Sequence, residues 1–317
     1  MNEKYLGTRE DVKFVKSYLA LMRSITPFEM FMTKFVRPLS ELRLKGDDRI
    51  DFKLFDQFVT PATTTIKKEV SSIFETIPEA RYFVADVPDE DSGGFHSKYA
   101  VGYHHVFRAG CTATLNAKLF PNKPLRTVEF VRNYLHDSVH HSTFCSFRRL
   151  IRFPKNPDDT KRVMPEVYRE QYGINFRNST EMSYSSPKLT HRVPLAINLN
   201  LLMDGVGVDL ITSALNRANA GKLVAPSNAQ EKSILDEVLL RIKEQEPCEW
   251  GSDFYFEVIL NTRKFLGHWG GEAFRMLLCH AMFSGKLDDL TAYFTDKYGE
   301  PDAWEKVFRR PGFTLDQ

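Results

Sequence analysis

The chain has 317 residues, of which 42% are apolar and 26% are charged, and this balance allows one large globular domain or two modest ones. The formal net charge is only +2, with lysine and arginine scattered, so the composition does not favour nucleic acid or a membrane surface as a partner. The chain contains neither an apolar secretion signal near its first residue nor a run of about 18 apolar residues that would predict a membrane span.

Cysteine usage bears on the compartment. The four cysteines, at positions 111, 145, 248 and 279, show no CxxC spacing, and Cys145 and Cys279 fall in segments with helical periodicity. We expect reduced thiols and a cytoplasmic location, although export by a specialised system would leave no signal that the sequence reveals. The oligomeric state is left open by the sequence.

The first part of the chain has the pattern of a helical scaffold. Phe14, Tyr18 and Leu21 recur at helical spacing, and Pro27 and Pro61 interrupt the apolar pattern. We therefore divide the chain into a helical N-terminal region, residues 1–80, and a catalytic region, residues 81–317. One continuous domain is the alternative to this division.

Strand signals begin at Arg81. Residues 82–85 and 99–107 are rich in aromatic residues and valine, and an acidic, glycine-containing loop lies between them at residues 89–94. This pattern predicts a small sheet or hairpin.

A long helix is predicted next. Asn122 and Pro124 supply a start signal, and Pro154 prevents continuation beyond about residue 152. Its apolar stripe is Val128, Val131, Leu135 and Val139, and its last turn would contain Arg148, Arg149 and Arg152. Further along, Glu166 and Glu170 are expected on the solvated face of a short helix that also holds Arg169.

Two histidines four residues apart are the most informative feature of this helix. One helical turn brings the Cβ atoms of His136 and His140 to within about 5–6 Å on one face. Such a pair can supply two ligands to one metal ion. The alternative is that one histidine is buried with a hydrogen-bond partner and the other lies at the surface. His141 points about 100° away around the helix, so we expect it at the surface or behind the ligands.

A second segment strengthens the metal interpretation. Residues 136–140 read His-Asp-Ser-Val-His, and residues 203–207 read Met-Asp-Gly-Val-Gly. These two segments resemble the HExxH and NEGxA motifs of gluzincin metallopeptidases, with aspartate in place of glutamate in both. A glycine-containing segment at residues 265–274 is similar to one that opens a late helix in relatives of that family. Helix capping by Asp204 is the alternative for the second motif.

The resemblance covers residues 80–290 and implies both a fold and a site. The implied fold is α+β and predominantly helical, with a small sheet against the active-site helix and a helical part following. His136, His140 and Asp204 would bind zinc, or iron or manganese in its place, and Asp137 would be the general base. Glu181 competes with Asp204 as third ligand. For stabilising the oxyanion we favour His191, and the other candidates are Tyr184, Arg108 and His268.

Three other functions use the same residues. An HD-type phosphohydrolase would combine His104 or His105 with His136, Asp137 and Asp209. A non-haem iron oxygenase would use two histidines and one carboxylate. A non-catalytic binding protein would keep the fold without the reaction. The resemblance favours a hydrolase of peptides or small amides.

Overall fold

The computed structural model describes residues 3–24, 36–85, 107–108, 123–151, 165–171, 203, 205–207, 210–211, 214, 266–267 and 270–299. The helices with defined bounds are α1 (Arg9–Ser24), α2 (Leu39–Lys45), α3 (Phe52–Glu69), α4 (Lys123–Ser142), α5 (Gly271–Ser284) and α6 (Asp288–Tyr298). The strands are β1 (Glu3–Leu6), β2 (Val36–Pro38), β3 (Phe83–Ala85), β4 (Phe107–Arg108), β5 (Cys145–Ile151) and β6 (Pro165–Gln171). The predicted class, α+β and predominantly helical, is confirmed.

The strands form two small sheets. One has the order β1-β5-β6, with β1 parallel to β5 and β6 antiparallel to it. The other has the order β2-β3-β4, with β2 antiparallel and β4 parallel to β3. The strand predicted at residues 82–85 is confirmed. The hairpin alternative is wrong for β3 and β4, because parallel strands cannot be joined by a tight turn.

The main hydrophobic core surrounds α4. All four residues of its predicted apolar stripe are buried, and they pack with residues of α2, α3, α5 and α6. A smaller cluster joins α1 to the first sheet through Val15, Leu19, Cys145, Phe147 and Val167. Segments on both sides of residue 80 thus contribute to each core, since β1 pairs with β5 and α3 packs against α4.

The end of α4 differs from the sequence prediction. The helix ends at Ser142, not near residue 152, and β5 begins at Cys145. The Thr143 hydroxyl donates to the carbonyl of His140 at 2.8 Å, and the Phe144 amide donates to the carbonyl of Met282 at 2.8 Å. Pairing of β5 with a strand on each side then outweighs local helical periodicity, so Arg148 and Arg149 lie in a strand and not in a last helical turn.

Three smaller predictions are corrected by the same kind of non-local contact. Cys145 lies in β5 instead of a helix, whereas Cys279 is helical as predicted. Glu166 and Glu170 lie in β6, where pairing with β5 sets the backbone. Pro61 lies inside α3, because burial of that helix against α4 outweighs the cost of about 3 kcal/mol that proline imposes on a helix interior.

One face of α4 anchors the chain that precedes β3. The Ser138 hydroxyl accepts from the amide of Ile77 at 3.1 Å, and the Tyr134 hydroxyl donates to the carbonyl of the same residue. The Ser142 hydroxyl both accepts from the amide and donates to the carbonyl of Glu75, at 2.9 and 2.8 Å. These bonds satisfy backbone groups that belong to no sheet, and they fix residues 75–77 on the helix.

The serine anchors give a first test. Ser138→Ala leaves the buried amide of Ile77 without this acceptor, so we expect a loss of about 1–3 kcal/mol in the free energy of unfolding. Ser71→Ala removes an equivalent bond to the amide of Ile73 at an exposed turn and should cost much less. Urea unfolding measures both, and equal losses would contradict the anchoring role of Ser138.

A second test concerns the turn that follows α5. Gly285 has φ +73°, and a Cβ there would overlap the ring of Phe144 just after α4. Gly46 has a similar φ of +66°, but a Cβ there meets no described atom within 4 Å. Gly46→Ala should therefore cost about 1 kcal/mol from backbone strain, and Gly285→Ala about 1–3 kcal/mol more from overpacking. Thermal and urea unfolding of the two variants would reveal the difference, and similar losses would refute it.

Candidate metal centre

The second half of α4 is buried on all sides. Every residue from Tyr134 to Thr143 is buried, and His136, Asp137, His140 and His141 are only 5–8% exposed. Of the two positions expected for His141, the surface is therefore wrong, and the position behind the ligands stays a prediction. An amphipathic pattern predicts one solvated face, but this helix has elements packed around its whole circumference here. Because burying a polar group without a partner is costly, these side chains need partners inside the protein.

The two histidines face each other through the same ring atom. Nε2 of His136 and Nε2 of His140 are 2.9 Å apart, with ring centroids 4.5 Å apart and ring planes tilted by 56°. Two neutral imidazoles can adopt this arrangement in two ways. One Nε2 can carry a proton and donate to the other, or both can be protonated at Nδ1 and direct their lone pairs at a shared cation.

The separation is close to what a shared metal ion requires. With Zn–N bonds of about 2.0–2.1 Å and a tetrahedral angle, two ligand nitrogens lie about 3.3 Å apart. The observed separation is 2.9 Å, so a change of a few tenths of an ångström in the rings would suffice. The donor set suits zinc, which binds imidazole nitrogen readily. The pair therefore fits an ion without rearrangement of the helix.

Asp137 lies beside the histidine pair and has a partner from another part of the fold. Its Oδ2 accepts a hydrogen bond of 2.9 Å from the hydroxyl of Tyr82, which lies just before β3 and is 1% exposed. A position about 100° around the helix from His136 places the carboxylate on the flank of the pair. Two candidate ligands and a candidate proton acceptor thus come from five consecutive residues of one helix.

Sequence reasoning did not identify Tyr82 as a site residue. It assigned this residue only to a strand signal, although the hydroxyl lies within hydrogen-bond distance of the proposed base. The two residues are 55 positions apart, and nothing in the local pattern connects them.

The segment with the second motif packs against the histidine helix. Met203 and residues 205–207 are helical and buried in the core that contains α4. A Cβ added to Gly207 would be 3.4 Å from Cγ1 of Val139, the neighbour of His140 in sequence. The two segments are therefore adjacent in space at Val139 and Gly207.

The remaining candidates are not brought together by the described structure. Asp204, Glu181 and His191 lie outside the described residues, and so do Tyr184, His268, His104, His105 and Asp209. Arg108 belongs to β4. Within the described part of the chain, no group of three His, Cys, Asp or Glu side chains has the geometry of a metal site. No helix there is both long enough and apolar enough to cross a membrane.

Comparison with known proteins adds no relative. No family model matches the chain, and neither a curated protein nor a solved structure shows significant similarity to it. The interpretation of the site therefore depends on its residues and their geometry.

Packing of the two motifs can be tested by exchanging side-chain size. Gly207→Leu places a large side chain against Val139, and overpacking should cost about 1–3 kcal/mol even though leucine favours helix. Adding Val139→Ala makes room, so the double variant should be more stable than the sum of the single effects predicts. Urea unfolding of the four proteins measures this coupling, and strict additivity would contradict the contact.

Proposed function

We propose that this protein is a metal-dependent hydrolase of the zincin type, with zinc bound by Nε2 of His136 and Nε2 of His140. The observation that carries the proposal is the separation of 2.9 Å between these two buried atoms on successive turns of one helix. Two neutral imidazoles bind a cation without adding a charge of their own. Iron and manganese are the alternative ions, and the metal's identity would separate hydrolytic from oxidative chemistry.

A carboxylate completes the proposed ligand set. We assign it to Asp204, because Met203 and Gly205 on either side are buried and Gly207 packs against the histidine helix. Glu181 is the competing choice, since its side chain is one methylene longer. One carboxylate with two neutral histidines leaves one positive charge on a bound divalent ion, so an open position suits a water molecule.

The reaction follows from the chemistry of these groups. Zinc, when bound, lowers the pKa of a water molecule and polarises the carbonyl that the water attacks. Asp137 accepts the water's proton as the oxygen–carbon bond forms. It then delivers that proton to the leaving nitrogen as the carbon–nitrogen bond breaks, so the carboxylate is regenerated. His191 is our candidate to donate a hydrogen bond to the developing oxyanion.

The substrate class we propose is a peptide or a small amide. Aspartate replaces glutamate in both motifs, so the proposed base and the third ligand each reach one methylene less far than in gluzincins. The site would therefore differ in shape from theirs. We also propose a reducing compartment such as the cytoplasm, because the four cysteines of the sequence show no CxxC spacing and are interpreted as reduced thiols.

Metal content tests the proposal directly. We expect about one zinc per chain in the purified protein by plasma mass spectrometry, and loss of that zinc in His136→Ala and His140→Ala. Asp137→Asn should retain the metal and lose metal-dependent cleavage of peptides, because the amide cannot accept the proton. His280→Ala, an exposed histidine on α5, is the matched control and should retain the metal.

Three other outcomes of the metal analysis would contradict the proposal or change the proposed reaction. Zinc stoichiometry unchanged in both His136→Ala and His140→Ala would refute the ligand assignment. Absence of any metal, even after zinc is added and the protein re-purified, would mean that the two imidazoles share a hydrogen bond and that the site is not a metal centre. Iron in place of zinc would favour the phosphohydrolase or oxygenase alternatives.

A further inference from the structure

We propose that Tyr82 is a positioning residue that holds the carboxylate of Asp137 in the orientation required of a general base. This inference depends on the proposed function, because it assigns a second residue to the same proton transfer. Tyr82 lies on a different segment from the two motifs, and no motif in the sequence marks it.

The contact is direct and shielded from water. The Tyr82 hydroxyl donates to Oδ2 of Asp137 at 2.9 Å, and the two residues are 1% and 6% exposed. A hydrogen bond to a carboxylate in a buried setting is stronger than one between neutral groups. With Oδ2 held in this way, we assign Oδ1 as the oxygen that accepts the proton.

Tyr82 is itself fixed by the surrounding structure. Its carbonyl accepts from the amide of Leu39 at 2.8 Å, which ties it to the start of α2. Its ring packs edge-on against Tyr134, with centroids 4.9 Å apart, and against Phe130 at 6.0 Å. The hydroxyl therefore comes from a rigid part of the core, which suits a group that orients another.

The segment before Tyr82 is anchored as well. Arg43 of α2 donates through Nε to Glu79 at 2.8 Å and through its terminal nitrogen to Asp56 of α3 at 2.8 Å. Glu79 begins the single 3₁₀ turn that leads into Tyr82. Hydrogen bonds on both sides of this turn thus determine where the hydroxyl lies relative to α4.

Orientation matters because the proposed base is short. The carboxylate of aspartate rotates about the Cβ–Cγ bond. Unless a hydrogen bond fixes this rotation, the positions of both carboxylate oxygens vary. Misplacement of about 1 Å can lower the rate about 100-fold. A phenol is a suitable anchor, because it stays neutral near pH 7 and donates without taking the proton itself.

The chain offers a matched control in Tyr134. It is buried, touches the Tyr82 ring and donates its hydroxyl to the carbonyl of Ile77 instead of to Asp137. Burial raises the pKa of Tyr134 to about 12, so this phenol is also neutral near pH 7. Tyr82→Phe and Tyr134→Phe each remove one buried hydroxyl from the same aromatic cluster, and only the first removes a bond to Asp137.

The experiment uses the full chain loaded with cobalt(II), whose visible spectrum reports on its coordination, and 4-nitrophenyl acetate as a general probe of hydrolysis. Cobalt stoichiometry is measured first, and the rate of His136→Ala is subtracted as background. We expect Asp137→Asn to lower the remaining rate by about 100-fold or more, and Tyr82→Phe by about 10-fold. Tyr134→Phe should keep both the rate and the cobalt spectrum of the unmodified protein.

The double variant shows whether Tyr82 acts through Asp137. In the Asp137→Asn background, Tyr82→Phe should lower the rate no further, because the group that it orients is already lost. The cobalt spectrum of Tyr82→Phe should shift toward that of Asp137→Asn. Tyr82→3-fluorotyrosine, which keeps the hydroxyl, should restore the rate, and circular dichroism checks that each variant is folded.

Three results would overturn the inference. Equal rates and spectra for Tyr82→Phe and Tyr134→Phe would show that the hydroxyl has only a structural role. A further loss of rate from Tyr82→Phe in the Asp137→Asn background would show that it does not act through Asp137. Failure of the unmodified chain to take up cobalt would remove the proposed function and this inference together, and it is recognised before any rate is measured.

Discussion

Burial of α4 from Tyr134 to Ser142 sets the requirements that the surrounding segments meet. A helix with solvent on one side can leave its polar residues to water, but from Tyr134 to Ser142 this helix has no exposed residue. Each polar side chain therefore needs a partner within the protein, or it destabilises the fold. The arrangement of the neighbouring segments follows from how these needs are met.

Five polar residues of α4 meet this constraint in two different ways. Ser138 and Ser142 bond to the backbone of residues 75–77, so their role is to attach a loop. His136 and His140 instead contact each other, and the carboxylate of Asp137 contacts the hydroxyl of Tyr82. The first group satisfies backbone that lacks a sheet partner. The second group brings titratable side chains together. Packing alone does not require this arrangement, and it is one that catalysis or ligand binding can use.

The sequence predicts local features of this region well and long-range ones poorly. The apolar stripe and the convergence of the histidines follow from helical periodicity alone, and both are found. The end of α4 at Ser142 depends on β5 pairing with β1, which lies about 140 residues earlier and is invisible to a local pattern. Tyr82 was missed for the same reason, because its contact with Asp137 joins distant segments. The burial of His141 depends on elements that pack around the helix. A helical wheel shows only the residues of the helix itself and therefore does not predict this burial.

The early end of α4 also changes the electrostatics of the histidine pair. In a helix continuing to residue 152, both imidazoles would lie mid-helix, where the backbone dipoles of successive turns largely cancel. With the helix ending at Ser142, both His140 and His141 lie in its last turn. The negative end of the helix dipole favours positive charge within about one turn. His140 lies within that range, so the strand that ends the helix also sets the electrostatic environment of one member of the histidine pair.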